Sequence, residues 1–148
     1  MYRLPRKWKL ELTCSRHGAA AVEFAIIAPL FFLLLAGIME FGQAFRIEHA
    51  LANASRRGAR MAAMEAATNA QIEQMVKAHC SRALGVDEAS VIINISVNGK
   101  AGTDLTTAQA GDEISVTAST PYSKAGVGFF ANIFSNSILS STCTMEHE

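Results

Sequence analysis

The sequence predicts an α+β protein in which one long N-terminal helix carries a small antiparallel sheet. Three observations lead there. Residues 19–39 form an apolar run of 21 positions with one charged side chain, Glu23. Alanine-rich sequence then keeps helical spacing to about Ala67. Beyond Ser90 the apolar period falls from 3.6 to 2, the mark of strands with one buried face.

The apolar run comes first because it sets the class. At 1.5 Å per residue, 21 residues reach about 31 Å, the thickness of a bilayer's hydrocarbon core. Five basic residues (Arg3, Arg6, Lys7, Lys9 and Arg16) precede it against the single acid Glu11. On the far side only Arg46, Arg56 and Arg57 lie within twenty residues. That bias orients the span with a cytoplasmic N-terminus and the rest of the chain outside. The organisation expected is a basic leader over 1–18, a transmembrane helix over 19–39, a helical stem over 40–67 and an α+β head over 68–148. A cleaved secretory signal fits less well, since the run is long and no A-x-A site ends it.

The formal charge of zero hides a basic leader of net +4 and a remainder of net −4. The body therefore has no electrostatic reason to bind nucleic acid. Orientation also divides the cysteines. Cys14 falls on the reducing side, whereas Cys80 and Cys143 share the compartment where a disulfide persists. A Cys80–Cys143 bridge is the expectation, and two small buried thiols the alternative.

Within the stem, Phe41, Phe45, Ile47, Leu51, Ala54 and Met61 recur at helical intervals, and abundant alanine lets another backbone approach closely. Pro29 removes the bond to the carbonyl of Ala25 and is expected to kink the membrane helix. Arg56, Arg57 and Arg60 are the one basic cluster after the leader. They read either as a solvated helix face or as a contact for anionic lipid or an acidic patch on a partner subunit.

Thr68-Asn-Ala-Gln71 has the form of a capping box, so a second helix starts there, and Gly85 suits its C-cap. Its apolar face is Ile72, Met75, Val76, His79, Cys80 and Ala83. His79 and Cys80 project about 100° apart, and no second Cys or His pair stands at zinc spacing, so no metal site is expected. Val91, Ile93, Ile95 and Val97 alternate with polar residues before the turn signal Asn98-Gly99. Residues 100–111 read as a long polar connection. A second strand is centred on Ile114, Val116 and Ala118. A third, at the chain's end, has Leu139, Ser141, Cys143 and Met145 on one side. Between these last two strands Pro121 opens a loop, and the apolar cluster Phe129 to Phe134 is expected to form a short helix against the sheet.

The boundary at Gly18 carries the functional argument. The pattern G-x-x-x-x-E, from Gly18 to Glu23 between a basic leader and an apolar helix, resembles the type IV prepilin signal. The wider run R-H-G-A-A-A-V-E-F-A-I-I-A-P-L-F-F-L-L-L-A-G-I-M-E-F-G, followed by S-R-R-G-A-R from Ser55, resembles TadE-like pseudopilins of bacterial tight-adherence (Tad) pili. The resemblance implies that a prepilin peptidase cuts between Gly18 and Ala19. It also implies that Glu23 acts in assembly by neutralising a neighbouring subunit's new N-terminus and fixing axial register. The partners implied are that peptidase, other pilin or pseudopilin subunits, the inner-membrane assembly machinery and the lipid bilayer. Adhesion is the family-level consequence. The alternative is a permanently anchored single-pass envelope protein whose periplasmic head binds a partner. No nucleophile with a base, no carboxylate pair in a cleft and no phosphate loop can be found, so neither an enzyme nor a cofactor is expected.

Overall fold

The computed structural model describes residues 16–64, 68–126 and 136–148. The chain divides into two units, Met1–Leu35 and Ala36–Glu148. The first contains, among its described residues, only the start of helix α1, Arg16–Ala63. Its large side chains are exposed, including Phe24, Ile26, Leu30 and Leu33. An apolar surface of that size without cover from the rest of the chain marks a contact with lipid or with other protein. The helix containing it is long and apolar enough to be a candidate membrane span.

The second unit is the α+β head. It comprises the remainder of α1, then α2 (Asn69–Leu84), β1 (Ile92–Val97), β2 (Lys100–Ala101), β3 (Glu113–Pro121), α3 (Tyr122–Ala125) and β4 (Ile138–Glu146). The four strands form one antiparallel sheet in the order β2-β1-β3-β4. One face packs on the helices. Ile47, Leu51, Ala54 and Ala59 of α1 and Ile72, Val76 and Cys80 of α2 meet Val91, Ile95, Ile114 and Val116 in a single core.

Local chemistry places the element ends. Thr68 accepts the backbone N–H of Gln71 through its hydroxyl, and the Gln71 side chain returns the bond, completing the capping box. Gly85 closes α2 in the left-handed region at φ +69°, where a side chain would be strained. Asn98 and Gly99, at φ +49° and +76°, make the two-residue turn joining β1 to β2. The Asn98 side chain pins this turn: its Oδ1 accepts from Glu113 N at 2.9 Å and its Nδ2 donates to Asp112 at 2.8 Å.

Several expectations need adjusting. The polar connection after Asn98-Gly99 is not loop from its start, because Lys100–Ala101 pairs with β1 before the long segment begins. That segment is tied down by Asn69, which donates to Thr103 O and accepts from Leu105 N, both at 3.0 Å. Pro121 ends β3, and the short helix after it is Tyr122–Ala125, one turn long. The cluster from Phe129 to Phe134 and the stem's last residues, 65–67, lie outside the described residues, as does Cys14. Among the described residues α1 already includes Arg16 and His17, inside the expected leader.

The cysteine bridge is the expectation that this structure does not bear: Cys80 and Cys143 are free thiols. The topology gives the reason. Cys80 lies on α2, which packs against β1, whereas Cys143 lies on β4, with β3 between the two strands. The two thiols stand on different layers, Cys80 buried on a helix and Cys143 half-buried on a strand, and neither is bonded.

Candidate functional site

Residues expected to act in processing and assembly lie along the first turns of α1. Gly18, Ala19 and Glu23 are all exposed, and a Cβ built on Gly18 meets nothing within 4 Å. Glycine at 18 is therefore not required by packing. The first helical turn contains no acidic residue, and Arg16 and His17 lead it. Glu23 stands one turn beyond, among exposed apolar side chains. Pro29 lies inside the helix, which continues through it.

A second site lies where the apolar run ends, and sequence reasoning missed it. Glu40 looks like the helix's return to water, yet in the head unit it is only 7% exposed. Its Oε1 accepts a 2.6 Å hydrogen bond from the hydroxyl of Tyr122, itself 3% exposed. Burial, then the hydrogen bond and the charge of Glu40, push the Tyr122 hydroxyl up to about 12. Gly37, Phe41, Ala44, Ser137 and Leu139 line an apolar pocket of about 350 Å³ beside this pair. A buried carboxylate needs such a donor, because leaving it unpaired costs several kcal/mol. The only sequence signal was an acidic residue in phase with Ala44, Ile47 and Leu51 on the core-facing stripe.

Gly58 was equally illegible. A Cβ there would lie 2.8 Å from Val76 Cγ2 and 3.0 Å from Val116 Cγ1, so α1, α2 and β3 converge on a position that admits no side chain. Beside it, Arg56, Arg57 and Arg60 are all exposed. Arg57 stands toward α2: with Arg82 it adds to the burial that holds His79 below the usual histidine range. Among the described residues none of the three arginines has a carboxylate within 4 Å. Cys80 is inert by the same physics, since burial pushes its thiol up to about 11. No group of three His, Cys, Asp or Glu side chains that could hold a metal occurs among the described residues.

The comparisons bear on the helix and leave the head without a relative. No curated protein and no solved structure matches the chain. A family model described as TadE-like protein matches residues 18–60. It begins at the proposed cleavage glycine and takes in Glu23, Pro29, Glu40 and the Arg56–Arg60 cluster. Over residues 18–60, which carry the candidate membrane span and most of the stem, this chain is similar to TadE-like proteins.

Proposed function

We propose that this chain is a Tad pilus-associated pseudopilin, a structural subunit rather than a catalyst, made with a leader that prepilin peptidase removes after Gly18. The observation that carries this reading is the TadE-like match starting at Gly18, on a helix whose apolar stretch, residues 19–39, holds one carboxylate, Glu23, amid exposed apolar side chains. Cleavage frees an α-amino group at Ala19, charged near neutral pH, four residues from that carboxylate. In a bundle of such helices the amine of one subunit pairs with Glu23 of another, which removes two costly charges from the apolar layer at once. Extraction from the bilayer exposes little apolar surface to water, because lipid and neighbouring helices cover the same side chains. The adhesive role, the peptidase and the inner-membrane machinery enter through the family resemblance.

Glu23→Gln tests the assembly role. The reading expects normal insertion and leader removal but a loss of pili. Normal piliation in that variant would refute the register role while leaving the processing claim intact.

A further inference from the structure

The head has two opposite outer surfaces, and their chemistry runs in the same order along the stem. One is the solvent side of α1. Phe45, His49, Asn53, Arg56 and Arg60 follow at intervals of four, four, three and four, a single stripe, and all are exposed. Phe45 is 59% exposed at one end, and the two arginines stand without carboxylate partners at the other.

The other surface is the face of the sheet turned away from the helices. Its middle is uncharged, with hydroxyl rungs Ser115–Thr144 at 2.7 Å and Thr117–Thr142 at 2.8 Å. One end is apolar, where Ile92 and Ile138 are 56% and 63% exposed. At the other end Glu113 and Glu146 are directly opposite in register and both exposed. Like charges opposed across a ladder destabilise it unless a counter-charge is supplied. Among the described residues neither carboxylate has an ion-pair partner.

Contacts within the head fix the levels of these features. Glu40 meets Tyr122, next to the Pro121–Ile138 end of the sheet. Ala63 O accepts from Glu148 N at 3.2 Å, two residues beyond Glu146. The stem therefore runs along the sheet with Phe45 near the level of Ile92 and Ile138, and Arg60 at the level of Glu113 and Glu146. Two copies placed side by side in the same orientation, offset by no more than about the one helical turn that separates Ala19 from Glu23, bring apolar to apolar and basic to acidic.

We infer that the outer sheet face of this chain receives the Phe45–Arg60 stripe of a second copy, with Arg56 and Arg60 of that copy on Glu113 and Glu146. The contact is heterologous, using two different surfaces, so it propagates from copy to copy rather than closing as a pair. It rests on the assembly reading above in that copies must gather in one membrane, but it does not require the leader to be cut.

The test is photo-crosslinking of the full-length protein in membranes, with a photo-reactive amino acid in place of His49. The expected product is a covalent dimer whose adduct maps to the sheet face around Ser119, Ser140 and Thr142 of the second copy. Arg56→Glu with Arg60→Glu should lower its yield about tenfold or more, as should Glu113→Arg with Glu146→Arg. Combining all four should restore it. All four side chains are exposed, so unchanged thermal melting of each variant shows that the head still folds. An adduct on a different protein, an adduct elsewhere on the second copy, or charge reversals that shift melting but leave crosslinking unchanged would each overturn the inference. Leader removal, read by mass in the same samples, reports separately on the processing claim.

Discussion

Gly58→Ala isolates the tightest point of the head. Alanine gains about 1 kcal/mol over glycine in a helix interior, so propensity alone predicts stabilisation. The structure predicts the opposite. The new methyl would lie 2.8 Å from Val76 Cγ2 and 3.0 Å from Val116 Cγ1, against an optimal carbon separation of about 3.5–4.0 Å. Both neighbours are β-branched and buried, so neither can rotate away cheaply. Overpacking of this kind costs about 1–3 kcal/mol, which leaves a net loss of up to about 2 kcal/mol. Gly42→Ala is the matched control, because a Cβ there meets nothing within 4 Å. The assay is thermal unfolding of the detergent-solubilised protein by circular dichroism. Gly58→Ala should melt several degrees below Gly42→Ala, at a few degrees per kcal/mol. Equal or higher melting for Gly58→Ala would refute the claim that α1, α2 and β3 converge there.

Other consequences are as direct. Tyr122→Phe removes the donor from the buried Glu40 carboxylate and should cost about 1–3 kcal/mol, whereas Glu40→Gln keeps an acceptor for the tyrosine and should cost less; denaturant titration of both variants checks the order. Because the Tyr122 hydroxyl is raised to about 12 from an ordinary value near 10, its contribution is complete below pH 10 and is lost as pH rises toward 12. Comparing wild type with Tyr122→Phe across that window should show a slope that the variant lacks. Native alkylation should label the half-buried Cys143 and spare the buried Cys80, and denatured protein should yield both thiols without reduction; finding either blocked would revive the bridge.

What the sequence disclosed follows from how each feature is encoded. The long apolar helix, the Thr68 capping box, the Gly85 terminus and the Asn98-Gly99 turn are local: each is set by neighbouring residues with fixed backbone demands. Strand faces were legible for the same reason, and Leu139, Ser141, Cys143 and Met145 do turn toward the core. The misses are tertiary. Glu40 reads as solvent-facing until Tyr122, 82 residues later, supplies its donor. Gly58 reads as a weak helix residue until two other elements close on it. The cysteine pairing rested on compartment, which says which thiols share a solvent and not which of them meet, and both are free here. Gly18 and Glu23 were singled out through the family pattern and Pro29 through its missing amide, and the helix presents Gly18 and Glu23 exposed.

Processing at Gly18 is the claim on which the functional account turns, and intact mass of the membrane-extracted protein, made with and without its cognate prepilin peptidase, tests it most directly. The account predicts a chain beginning at Ala19 only when the peptidase is present. It also predicts full-length Gly18→Ala protein that melts like the uncut parent, since nothing packs on that position. A leader retained in the presence of the active peptidase would contradict it.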